Sequence, residues 1–174
     1  MSIFKEIKER GQMNSWYKLK VLENDADLLV EGIKDLSEIK PMCNIYGIPV
    51  IKCTSVINSS NGFIAMLTVD RNNNYYIIVD DLFMHLSKDA QMVILGHEIG
   101  HYHLNHLNTP GKGIHKEYEA DEYAAKMFGY VNTLKALDEL VEIINKLLKR
   151  GIIETICLLD IKKIVMQRKH HLMK

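Results

Sequence analysis

The sequence predicts an α+β fold, with helices at both ends of the chain and one small sheet between them. Three observations carry this expectation. Short β-branched and aromatic runs are confined to residues 46–82. Apolar residues recur at helical spacing before and after that stretch. The prolines Pro41, Pro49 and Pro110 sit at apparent element boundaries. Helices, then strands, then helices is an α+β order and not a βαβ alternation.

The chain has 174 residues, 47% hydrophobic and 25% charged, which suits one globular domain over residues 1–174 with a sizeable core. Its 22 Lys+Arg balance 22 Asp+Glu, so no net field favours nucleic acid or an anionic membrane, and no nucleic-acid partner is expected. No apolar run approaches the roughly 18 residues of a transmembrane helix. The opening MSIFKEIKER places charges where a signal peptide needs an apolar stretch. Cys43, Cys53 and Cys157 are an odd number without paired spacing, and each reads best as a small apolar residue. Together these features lead to the expectation of a soluble, cytoplasmic protein.

In chain order, residues 1–45 read as N-terminal helices. Ile3, Phe4 and Ile7, then Trp16, Leu19 and Leu22, suggest one or two short helices around Gly11. Ala26, Leu29, Ile33 and Leu36 suggest another from Asp25 to Lys40, closed by Pro41. Within residues 46–82, IPVIKCTSVI, FIAMLTVD and NYYIIVDD read as three antiparallel strands. NSSNG and RNNN separate them with turn chemistry, and NYYIIVDD is a candidate edge strand.

From Ser87 the pattern is helical. Ser87 or Asp89 caps a helix reaching about Asn105, which Thr109-Pro110-Gly111 ends. A second helix covers about His115 to Phe128 and stops at Gly129, so residues 87–129 form one pair. Residues 132–170 form C-terminal helices. The first carries an apolar stripe from Leu134 to Leu148 and stops at Gly151; the second covers about Ile152 to Gln167.

Six of the eight histidines fall between His85 and His115. His97-Glu98-Ile99-Gly100-His101 reads H-E-x-x-H. On a helix, positions i and i+4 project about 40° apart, so both imidazoles can reach one cation. Glu98 is close enough to act on a metal-bound water but badly placed to be a ligand. A histidine third ligand at the metzincin offset is excluded, because Leu104 and Leu107 occupy the glycine and histidine positions. The remaining source is the next helix. Glu117 and Asp121 share one face there, so one can bind metal while the other orients a ligand imidazole. Glu119 points elsewhere, and Ala120 and Ala124 are small enough for close helix packing.

HEIGH followed by EYEADEYA resembles the gluzincin metallopeptidases of the M48 type, whose pattern is H-E-x-x-H and then E-x-x-A-D-x-x-A. It is also similar to the soluble minigluzincins and to the ImmA/IrrE-like peptidases. The motif region spans about Gln91 to Ala125. The resemblance implies a zincin-like fold, in which the sheet packs on the H-E-x-x-H helix and a glutamate helix follows. It implies one zinc per chain on His97, His101 and Glu117, with Glu98 as base and Asp121 holding a ligand in place. It further implies a peptide or protein substrate, extended along an edge strand above that helix. The chain departs from the membrane-embedded M48 enzymes in lacking transmembrane helices. It departs from ImmA-like proteins in reading KMFGY, without proline, after the second motif.

The function expected is zinc-dependent endopeptidase, with Glu98 activating a zinc-bound water. The alternative is a regulatory or interaction protein of the same fold, with one specific protein partner and little general peptidase activity. The intact Glu98 argues against a purely structural zinc site. His115, Tyr118, Tyr123 and Tyr130 are in range to stabilise an oxyanion, although packing is the commoner role for each tyrosine. His103 and His106, about 240° and 180° around a continued helix from His97, are expected to face away from the metal. His85 has no identifiable partner. The basic tail from Lys162 to Lys174 reads as a solvated helix end.

Overall fold

The computed structural model describes residues 16–21, 27–31, 40–52, 64–70, 72–80, 82–109, 113–150 and 155–174. Residues 1–15, the Asp25–Ala26 and Ile33–Leu36 positions of the expected helix, Cys53, the NSSNG turn and Pro110-Gly111 lie outside them. The strands are β1 (Trp16–Val21), β2 (Asp27–Glu31), β3 (Cys43–Ile45), β4 (Ile48–Lys52), β5 (Ala65–Val69) and β6 (Tyr75–Val79). After a 3-10 turn at Phe83–His85 come the helices α1 (Lys88–His103), α2 (Gly113–Phe128), α3 (Tyr130–Arg150) and α4 (Thr155–Leu172).

Among the described residues the sheet has six strands in the order β2-β1-β5-β6-β4-β3, not three. Two corrections explain the difference. The N-terminal stretch expected to be helical contributes β1 and β2, paired antiparallel from Trp16↔Glu31 to Lys20↔Asp27. In WYKLKV, Tyr17, Leu19 and Val21 alternate with Lys18 and Lys20, a period of two that strand pairing selects over the weaker helical spacing. β3 was also unforeseen. It forms a hairpin with β4 through Tyr46 and Gly47, both at positive φ (50° and 81°), as a two-residue primed turn requires.

The expected antiparallel trio is present as β4, β5 and β6, but β4 and β6 pair in parallel, Val50↔Ile77 to Lys52↔Val79. NYYIIVDD is therefore an interior strand, between β5 and β4, and not an edge. The physical reason is visible in YYIIV, where Tyr76 to Val79 are all buried. A continuous apolar run needs cover on both faces, which interior strands receive.

Helix α1 lies between this sheet and the other helices, against β5 on one side and α2 and α3 on the other. It is buried almost all round, from Ala90 and Gln91 through Val93 to His101. Val50, Leu67, Ile77 and Val79 of the sheet share one core with Val93, Ile94 and Ile99. Ser87 caps α1 by accepting from the Ala90 N–H at 3.2 Å. Glu139 of α3 holds that cap, accepting from the Ser87 hydroxyl at 2.7 Å. The centre of the molecule is thus a helix whose polar residues must find partners inside the protein.

Candidate metal centre

The close approach of α1 and α2 builds the site. A methyl group on Gly100 would lie 3.1 Å from the Ala120 Cα and carbonyl oxygen and 3.0 Å from Tyr123 Cβ. Those are backbone and near-backbone atoms of α2, so a side chain at position 100 would push the two helices apart by a few tenths of an ångström. Ala120 and Ala124 are fully buried.

At that contact three donor groups converge. His97 Nε2 lies 3.0 Å from His101 Nε2 and 3.1 Å from Glu117 Oε2, and His101 Nε2 lies 3.2 Å from Glu117 Oε1. Tetrahedral corners set about 2.0–2.1 Å from a shared centre are about 3.3–3.4 Å apart. Two imidazoles and a carboxylate at this spacing fit one small divalent cation of the zinc type.

Behind His97 stands Asp121. The His97 Nδ1 to Asp121 Oδ1 distance is 2.8 Å. Because Nε2 faces the donor cluster, Nδ1 carries the proton and donates to the carboxylate. Arg168 of α4 grips the same carboxylate as a fork, Nε donating to Oδ2 at 2.8 Å and Nη2 to Oδ1 at 2.7 Å. Its Nη1 lies 3.4 Å from Glu117 Oε2. His97, Asp121 and Arg168 are all buried.

The electrostatics follow from this packing. Burial opposes the charge on Asp121, but Arg168 and His97 hold its carboxyl well below the ordinary value. Burial likewise opposes charge on Glu117, and His101 and His97 hold it down. For His97, burial and Arg168 disfavour the imidazolium, yet Asp121 and Glu117 prevail and push its pKa up to about 9. Without a cation, a proton therefore sits where the cation would bind.

Behind His101 stands His106, and here the sequence reading is corrected. His106 does not face away: its Nδ1 lies 2.8 Å from His101 Nδ1, and its Nε2 lies 3.1 Å from Glu119 Oε2. A helical wheel turns His106 away from His97 only where α1 continues, but α1 ends at His103. Asn105 takes φ 56°, the Asn105 N–H bonds the Tyr102 carbonyl at 3.0 Å, and the His106 N–H bonds the His101 carbonyl at 3.0 Å. That is a Schellman stop, which places the residue after the left-handed position against the helix residue five before it. Burial first, then the neighbouring His101, lowers the His106 pKa. His103, by contrast, is exposed and stacks on Tyr123 at 5.5 Å.

Glu98 is buried beside the donors, with Oε2 accepting the Leu67 N–H of β5 at 2.7 Å. A cavity of about 60 Å³ opens here, lined by His97, Glu98, His101, Glu117 and Arg168 against an apolar wall that includes Met66, Ile94 and Val165. None of the four oxyanion candidates lines it. Tyr118 stacks on His171 at 4.1 Å, His115 meets the edge of Tyr118, and Tyr130 is exposed. Cys43 and His85 are exposed away from it.

Arg168 is the residue the sequence reading missed, since the basic tail is not wholly solvated. The signal was present: Ile161, Ile164, Val165 and Arg168 follow the i, i+3, i+4, i+7 stripe of a buried face. A cation on such a stripe needs a buried anion, and Asp121 is that anion.

Residues 40–110 match the model of peptidase family M48. The chain is M48-like over this stretch, which holds β3 to β6 and all of α1. Glu117, Asp121 and Arg168 lie beyond it. Curated proteins and solved structures give no significant match. The family match supports a peptidase, a hydrolase acting on protein or peptide substrates. Among the described residues, no helix is long and apolar enough to cross a membrane.

Proposed function

We propose that this chain is a zinc-dependent endopeptidase, and the convergence of His97, His101 and Glu117 beside the buried Glu98 is the observation that carries the reading. His97 and His101, through Nε2, and the Glu117 carboxylate hold one zinc per chain. When bound, zinc supplies Lewis acidity, which polarises a scissile carbonyl and lowers the pKa of a water. The protein's own residues do the rest. The Leu67 N–H fixes one oxygen of Glu98, leaving the other to take the proton of the attacking water and pass it to the leaving amine. Asp121, clamped by Arg168, keeps His97 in the tautomer whose Nε2 is a ligand. The substrate lies extended along the start of β5, an interior strand whose pairing with β1 covers, among the described residues, only Thr68 and Val69. Ala65 and Met66, outside that pairing, line the cavity there.

The test is the zinc content and peptidase activity of wild type, Glu117→Ala and Glu98→Gln, read on fluorogenic peptides. The expected result is about one zinc per chain in wild type and Glu98→Gln, with much weaker binding in Glu117→Ala. Turnover is lost in Glu98→Gln although zinc stays. Near-normal cleavage by Glu98→Gln sinks the role of the base. A wild type that holds no zinc after reconstitution sinks the enzyme reading itself.

A further inference from the structure

The His101 side of the site holds a feature that the H-E-x-x-H and E-x-x-A-D motifs do not contain. His106 is 4% exposed, between His101 and Glu119, whose side chain is 62% exposed. Proton counting fixes its role once the zinc site proposed above is accepted, and the inference rests on that site. His101 offers its Nε2 lone pair to the cation, so its proton is on Nδ1. Two Nδ1 atoms 2.8 Å apart can share only one proton between them, so His106 Nδ1 is the acceptor. His106 then carries its own proton on Nε2 and donates it to Glu119 Oε2 at 3.1 Å. Every ring nitrogen has one role, with both imidazoles neutral.

The backbone around His106 is built to hold this arrangement. The Schellman stop pins its N–H to the His101 carbonyl, and the buried Lys116 ammonium donates to the His106 carbonyl at 2.9 Å and to the Thr109 carbonyl at 2.7 Å. Lys116 is the neighbour of Glu117 on α2. One residue thus ties the turn that carries His106 to the helix that carries the third donor.

From this geometry we infer that His106 is a positioning residue for the metal: it accepts the His101 Nδ1–H, fixes that ring's tautomer and orientation, and tightens zinc binding. Loss of such an outer partner typically weakens metal binding about 10–100-fold. Three variants separate this from a merely structural role. Asparagine places its amide oxygen where Nδ1 stands, so His106→Asn keeps an acceptor for His101. Glutamine carries its amide out to the Nε2 position, so His106→Gln reaches Glu119 but not His101. His106→Leu reaches neither.

Zinc affinity, measured by competition with a chromophoric chelator, is expected within a few-fold of wild type for Asn. For Gln and Leu it is expected about 10–100-fold weaker. Cobalt-substituted protein gives a second readout, since its visible bands follow ligand geometry: they change in Gln and Leu and not in Asn. If all three variants bind zinc like wild type and only the chelated protein melts earlier, His106 is a packing residue and the inference is overturned. Should Leu fail to fold, the Asn and Gln pair decides. If wild type binds no zinc, the site reading falls and takes this inference with it. If wild type binds through Glu117 and the Asn and Gln variants do not differ, this inference alone falls.

Discussion

His97 and His101 stand four residues apart on one face of α1, and each is backed by a different kind of support. Behind His97 the partners are a carboxylate and a guanidinium, both buried, joined by a two-bond fork. Behind His101 the partner is a second imidazole, and the charge that completes the chain, Glu119, stands in solvent. Charged groups taken out of water must be paired or they cost several kcal/mol, whereas a neutral imidazole needs only hydrogen bonds. The Asp121–Arg168 arm is therefore coupled more strongly to folding, and the His106–Glu119 arm, uncharged where it is buried, more strongly to the metal.

The largest expected effect breaks the first arm. Arg168→Met leaves two buried carboxylates, Asp121 and Glu117, with only the His97 imidazolium between them and should destabilise the chelated protein by about 3–5 kcal/mol. Arg168→Met with Asp121→Asn should recover much of that loss, because the carboxylate that Arg168 neutralised is then gone and His97 and Glu117 are left as a pair. Chemical denaturation of the three proteins, all with chelator, provides the measurement. An Arg168→Met protein as stable as wild type would remove the distinction between the arms.

That arm also shows where the sequence was legible and where it was not. H-E-x-x-H on a helix, the Ser87 cap and the small Ala120–Ala124 face are local patterns, and local patterns survive into the fold. Three features depended on what stops or joins elements. His106 was misjudged because Asn105 ends the helix two residues after its last turn, which resets the angular register. Arg168 was misjudged because composition described a basic tail, while position within the i, i+3, i+4, i+7 stripe placed one of its cations inside. The place of β1 beside β5 and the parallel β4–β6 pair depend on partners distant in sequence, and spacing within one segment does not report them.

The second prediction sharpens the comparison, because the two arms respond to pH with opposite sign in the metal-free protein. The folded-state pKa of His97 is raised from 6.5 to about 9. Its stabilisation is complete below pH 6.5 and is lost as pH rises towards 9, by about 3 kcal/mol. The folded-state pKa of His106 is lowered, so its neutral form favours folding above its ordinary value and the benefit fades as pH falls below it. Asp121 and Glu117 are held low as well, and their contribution is lost further into acid. Melting of the chelated protein should therefore be highest near pH 6.5 and fall on both sides. Saturating zinc should remove the alkaline fall, since the cation then replaces the His97 proton. A chelated melting curve that stays flat from pH 6.5 to 9 would show that Asp121 and Glu117 do not hold that proton.

The smallest effect lies at the solvent end of the second arm. Glu119→Gln keeps an oxygen able to accept the His106 Nε2–H and removes only the charge. With its side chain 62% exposed, Glu119 interacts through water and salt, and exposed pairs contribute about 0.2–1 kcal/mol. Zinc affinity should change by no more than a few-fold, and the difference should shrink as ionic strength rises. A tenfold loss that persists in high salt would mean that the Glu119 charge is felt through both imidazoles at the metal. The two arms would then differ in burial alone and not in kind.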